Sequence, residues 1–137
     1  MTAKEYLRQI RHIDQQLKQL LDEWDELKKA QTFLKSPQVE GDRVQTSPSG
    51  DPPWMGHLIK MDELKLKIAD KYEELFTTRL TIVGQINSLS DSRYTDVLMK
   101  RYVEYKRFDR IAREMHYTPD YILHLHGMAL KEIQRIL

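Results

Sequence analysis

Residues 108–125 read FDRIAREMHYTPDYILHL, and their spacing is that of two short helices joined by a tight turn. With Phe108 at the first position, apolar side chains fall where two crossing helices share a small core, namely Ile111, Met115, Tyr117, Ile122 and Leu125. Ala112 stands where the helices approach most closely, because a larger side chain would separate them. The stretch therefore predicts a helix-turn-helix.

The turn needs a residue that adopts a positive φ, and the sequence places His116 there. Histidine is one of the non-glycine residues enriched in that backbone region. Thr118 and Pro119 follow, and they supply an N-cap hydroxyl and a proline whose missing N–H costs nothing at the first helical position. We therefore expect the second helix to begin directly after Thr118.

The periodicity extends in both directions. A helix before the motif carries Tyr94, Val97, Leu98, Arg101 and Tyr102 at helical spacing. The last helix continues through Ala129, Leu130, Ile133 and Ile136. Residues 91–137 thus predict the three helices that a helix-turn-helix module requires.

Side chains in the first turns of the second helix that point away from the core could reach base edges of duplex DNA. The residues we expect there are Asp120, Tyr121 and His124, with Leu123 and Gly127 nearby, and Thr118 at the start of this helix is also expected to contact DNA. Phosphate contacts would come from a basic cluster and one later lysine, namely Lys106, Arg107, Arg110, Arg113 and Lys131. The alternative interpretation of these charges is a solvated helix face with i,i+4 pairs, such as Arg110 with Glu114.

Three short landmarks resemble the promoter-reading fourth region of bacterial sigma factors: Arg101–Tyr105, Ile111–Ala112 and Ala129–Lys131. The chain also resembles a family of short proteins of unknown function from phages and prophages of Gram-positive bacteria. The residues that carry this second resemblance are Met1–Leu7, Gly41–Ser47, Leu125–Gly127 and Ala129–Leu130. That family is similar to phage transcription regulators, including activators of late genes. The resemblance implies DNA binding and transcription control in the cytoplasm of a bacterial host.

Residues 1–35 carry an a/d heptad seam over about four repeats. We expect this seam to serve in oligomerisation through Ile10, Ile13, Leu17, Leu20, Trp24 and Leu27. Residues 54–90 form a second apolar helical stretch of similar length, so the two helices could pair as a hairpin within one chain or as a bundle between chains. We expect a dimer that reads two half-sites of DNA. When two DNA-binding modules are joined, the second one binds intramolecularly once the first is bound, which raises the overall affinity.

Residues 36–53 hold four of the five prolines and predict a linker that ends the first helix. An ordered loop at Gly41–Ser47 that contacts a partner through Arg43 and Gln45 is the alternative. The overall expectation is an all-α protein, with a long helical hairpin or coiled-coil arm followed by a C-terminal trihelical helix-turn-helix.

Other classes of function find little support in the sequence. It has no cysteine, no apolar run near the ~20 residues of a membrane span, and no motif of an enzyme, cofactor site or metal site. Two other functions remain open. One is a module that binds RNA polymerase or a sigma factor without reading DNA, which the net charge of +1 favours. The other is a recognition subunit for DNA packaging.

Overall fold

The computed structural model describes residues 1–34 and 50–137, and the predicted all-α class is confirmed for them. The helices are α1 (Ala3–Leu7), α2 (Gln9–Leu34), α3 (Pro53–Asn87), α4 (Ser92–Leu98), α5 (Phe108–Met115) and α6 (Pro119–Ile136). A π-helical turn over Met99–Val103 directly follows α4. Most of the expected linker, including Gly41–Ser47, lies outside the described residues.

The chain divides into two compact units. One comprises Met1–Asp14 together with Glu74–Leu137, and the other comprises Gln15–Glu73. The sequence pattern divides the chain at the ends of helices, whereas these boundaries fall inside α2 and α3. Each long helix therefore supplies residues to both units.

In the unit Gln15–Glu73, α2 and α3 run antiparallel. The Nε2 atom of His57 lies 2.7 Å from the carbonyl oxygen of Leu27, and Lys71 donates to the side chain of Gln16 at 3.0 Å. The apolar contacts bury Leu17, Met61 and Leu64. The predicted pairing of the two helical stretches is thus made within one chain, as a hairpin.

Burial within the chain changes the expected role of the heptad seam. Ile10, Ile13 and Leu17 are only 0%, 6% and 4% exposed, so the chain itself covers them and they are not offered to a second copy. The other three seam residues are half-buried, namely Leu20, Trp24 and Leu27. Several exposed apolar side chains lie instead on α3, where Leu66 is 69% exposed and Phe76 is 65% exposed.

In the other unit, the N-terminal residues share one core with the C-terminal helices. Its buried members are Ala3, Leu7, Ile10, Ile82, Ile86, Leu98, Tyr102, Ala129 and Ile133. The backbone N–H of Ala3 donates to the side-chain oxygen of Gln134 at 2.8 Å, which fastens α1 to α6. Thr2 and Glu5 form a reciprocal capping box that starts α1. The three C-terminal helices are therefore only part of a larger core.

One polar pair lies inside this unit. The hydroxyl of Tyr102 is 2.7 Å from Nε2 of His126, and the rings of His126 and Phe108 form a T-shaped pair with centroids 4.9 Å apart. Burial lowers the pKa of His126 to about 4, helped by the positive charges of Lys4, Arg101 and Arg8. The folded protein thus holds this imidazole neutral.

The protein should lose stability as the pH falls from about 6.5 to about 4. The unfolded chain binds a proton to His126 near pH 6.5, whereas the folded chain does so only near pH 4. The stabilisation is fully present above the unfolded pKa, and it falls by about 1.4 kcal/mol for each pH unit across this window. Urea denaturation at several pH values measures this change in the free energy of unfolding. An unchanged profile in His126→Gln would contradict this origin, and His124→Gln, at an exposed position of α6, is the control.

Candidate nucleic-acid interface

The predicted helix-turn-helix geometry is present. Helices α5 and α6 are joined by three residues, and His116 has φ 61° and ψ 41°, the positive φ expected of it. The N–H of Tyr117 donates to the carbonyl oxygen of Ala112 at 2.9 Å, which closes α5. The Thr118 hydroxyl accepts the N–H of Tyr121 at 3.2 Å, and Pro119 is the first residue of α6. The start of α6 is therefore fixed by local chemistry.

A small separate core joins the two helices to α4. It buries Val97, Ile111, Ala112, Ile122 and Leu125, with Met115 packed beside it. The expectation that Tyr117 belongs to this core is wrong, because its side chain is 38% exposed. Its ring instead meets the ring of Tyr121 edge-on, with centroids 4.8 Å apart. The turn directs it toward the surface rather than between the helices.

The outward face of α6 carries one row of residues. Asp120, His124, Gly127 and Lys131 are separated by four, three and four positions, so they lie on one side of the helix. The opposite side holds the buried residues Ile122, Leu125, Ala129 and Ile133. Asp120, His124 and Lys131 are exposed, as a role in contacting DNA requires. Leu123 flanks the row and is 50% exposed.

The third expected base contact, Tyr121, is held by a residue that the sequence pattern does not single out. Arg93 donates through Nη1 to the Tyr121 hydroxyl at 2.7 Å. Asp91 in turn accepts from Nη2 of Arg93 at 2.9 Å and from Nε at 3.2 Å. These hydrogen bonds lower the pKa of Asp91, which also caps the start of α4. Tyr121 is thus anchored to the start of α4.

The basic cluster is only partly available. Glu114 accepts from Lys100 at 2.8 Å, from Lys106 at 2.8 Å and from Nε of Arg110 at 3.0 Å. The hydrogen bonds from the two lysines lower the pKa of Glu114 to about 2. The i,i+4 pair of Arg110 with Glu114 is therefore confirmed. Two of the expected phosphate contacts, Lys106 and Arg110, already share a carboxylate.

Arg107 and Arg113 are more open to a partner. Arg107 is 88% exposed, with its Nε 3.8 Å from a carboxylate oxygen of Asp109, and Arg113 is exposed. Both line an open surface cavity of about 470 Å³ together with Glu104, Tyr105, Lys106, Asp109 and Arg110. Four cations against two carboxylates give this cavity a net positive charge. It could accommodate a phosphate group.

The loop that presents Lys106 and Arg107 is held by contacts from α2 and from the π-helical turn. Tyr105 has a φ of 59°, which is rare for a bulky residue. Its hydroxyl donates to Asp14 at 3.1 Å, and burial together with this carboxylate raises its pKa to about 12. Arg101 also donates to the carbonyl oxygen of Lys106 at 3.0 Å. The N-terminal part of α2 thus fixes the loop before α5.

Replacing Glu114 by glutamine should strengthen binding to any duplex, because it removes a negative charge and frees Lys100 and Arg110, whereas Lys106 keeps its ion pair with Glu104 at 2.8 Å. Each cation that gains a phosphate contact raises the affinity about ten-fold at ~0.1 M salt. Fluorescence anisotropy with an arbitrary duplex measures this. Glu132→Gln is the matched control, since Glu132 pairs with Arg135 near the end of α6. Binding equal to or weaker than that of the original chain would contradict the prediction.

None of the helices in residues 1–34 and 50–137 combines the length and the apolar character needed to cross a membrane. In the same residues, no three His, Cys, Asp or Glu side chains are grouped so that they could hold a metal ion. No protein-family model, curated protein or solved structure matches the chain.

Proposed function

We propose that the chain binds double-stranded DNA sequence-specifically through α5 and α6 and regulates transcription. The observation that carries the proposal is the three-residue turn with His116 in the left-handed region, which leaves one face of α6 exposed, while Arg107, just before α5, and Arg113, on α5, are also exposed. By the resemblance drawn from the sequence, the setting would be the cytoplasm of a bacterial host. The protein would be a phage-encoded activator of late genes.

The exposed groups would have two roles in binding DNA, contacts to bases and contacts to phosphates. The row on α6 would lie in the major groove, where the Asp120 carboxylate can accept from a cytosine amino group and His124 can hydrogen-bond a base edge. Arg107, Arg113 and Lys131 would contact phosphates and set the position of the module. Tyr121, anchored by Arg93, adds a rigid aromatic edge beside the row.

Neutralising the two open arginines tests the phosphate contacts. Arg107→Gln combined with Arg113→Gln should weaken binding to every duplex and lower the slope of log affinity against log salt by about 2 in magnitude. Lys18→Gln combined with Lys29→Gln removes the same charge from exposed positions on α2. Equal slopes for the two double variants would show that these arginines do not contact phosphate.

A second candidate function is a module that binds RNA polymerase or a sigma factor. It is favoured by the scarcity of cations on the outward face of α6 and by the exposed side chains of Leu123 and Tyr117, which are 50% and 38% exposed. Apolar exposure of this kind suits a protein partner better than a phosphate backbone. Capture of host RNA polymerase without any binding to duplex DNA would favour this candidate.

The expected dimer remains a prediction. A second copy could not use Ile10, Ile13 or Leu17, because the chain itself buries them. Light scattering of the protein would report a dimer for a regulator of two half-sites. A ring-sized oligomer would instead favour the packaging subunit.

A further inference from the structure

Gly127 is a glycine that its own chain does not require. It is the ninth residue of the 18-residue helix α6, where glycine is less favourable than alanine because its backbone loses more conformational freedom. Apart from its chain neighbours and the adjacent backbone of α6 itself, a Cβ atom built at this position would meet nothing within 4 Å. Its φ is not positive, unlike that of Gly50. Neither packing nor backbone conformation therefore explains the residue.

The position of Gly127 on α6 suggests why a glycine stands there. It lies inside the outward row, three residues after His124 and four before Lys131. The major groove of DNA is about 12 Å wide, close to the 10–12 Å diameter of a helix with its side chains. How deeply such a helix enters the groove depends on the size of the side chains in the facing row.

We propose that Gly127 is the point of closest approach between α6 and duplex DNA, where base edges contact the helix backbone. This inference rests on the proposed function. Gly127 would be a specificity-determining position, because only a helix without a side chain there brings His124 within reach of base edges. Contacts to phosphates, made from outside the groove, depend on it much less.

Alanine at Gly127 separates this role from a structural one. Gly127→Ala should raise the equilibrium constant for folding about five-fold, the usual gain from replacing glycine in a helix. It should nevertheless lower the affinity for the preferred duplex, the one enriched by selection from random double-stranded DNA, about ten-fold, the value of one good base contact. The affinity for a scrambled duplex should change little. The larger side chain in Gly127→Leu should lower the affinity for the preferred duplex further.

The chain offers a matched control in Gly84, a glycine of α3 at which a Cβ atom would also meet nothing within 4 Å. Gly84→Ala should show the same gain in stability with unchanged DNA binding. If Gly127→Ala bound the preferred duplex as well as the original chain, the inference would be overturned while the proposed function stood. If the original chain did not distinguish the preferred from the scrambled duplex, both would fail.

Discussion

Replacing Leu7 by alanine is expected to lower the free energy of unfolding by about 2–5 kcal/mol. Leu7 is fully buried and belongs to the cluster that contains Leu98, Ala129 and Ile133. The substitution leaves a cavity between the N-terminal segment and α6, and the surrounding helices can close it only in part. Chemical denaturation followed by circular dichroism measures the loss. Lys4→Ala, at an exposed position of the same helix, is the control.

The same packing predicts that the peptide 91–137 does not fold alone. Without the N-terminal residues and the end of α3, the faces of Leu98, Tyr102 and Ile133 would be exposed to water. Three short helices that lose these contacts would expose much of the apolar surface that stabilises them. A cooperative unfolding transition of this peptide, with the stability of the 137-residue chain, would contradict the account.

Replacing Ile111 by alanine should have a comparably large effect, about 2–5 kcal/mol, through a different core. Ile111 is fully buried with Val97, Ile122 and Leu125, which join α5 and α6 to α4. The variant should also lose specificity for DNA, because the crossing of the two helices sets the position of α6. Asp109→Ala on the same helix is the control, since Asp109 is exposed.

Leu7 and Ile111 lie in separate clusters, so their effects should be additive to within about 0.5 kcal/mol in the double variant. Strong coupling would mean that the two clusters behave as one core. A loss of less than about 0.5 kcal/mol for Ile111→Ala would contradict its placement between the helices.

The features that the sequence predicts correctly are local ones. The positive φ of His116 and the cap formed by Thr118 and Pro119 depend on residues within one turn. The burial of Ile111 and Ile122 follows from the 3.6-residue period once the two helices are recognised. Tyr117 is the exception, because its environment depends on the direction in which the turn points its side chain.

The features that the sequence does not predict depend on how distant parts of the chain meet. The contact of Ala3 with Gln134 joins residues 131 positions apart, and Arg93 reaches Tyr121 across 28 positions. A heptad seam shows that a helix needs an apolar partner but does not say whether the partner lies in the same chain. Glu114 likewise accepts a hydrogen bond from Lys100, which lies in the π-helical turn and not in α5. Which cations are available to contact a partner therefore follows only from the three-dimensional structure.

The most direct test of DNA reading by α6 is a selection from random double-stranded DNA with the 137-residue chain, followed by binding of the enriched duplex at two salt concentrations against a scrambled competitor. We expect a discrete sequence that binds at least ~1,000-fold more tightly than the scrambled duplex, with a preference that survives the higher salt. We also expect His124→Ala and Asp120→Ala to reduce the preference while leaving the salt slope unchanged. Uniform weak binding that disappears with salt, or no binding, would contradict DNA reading by α6.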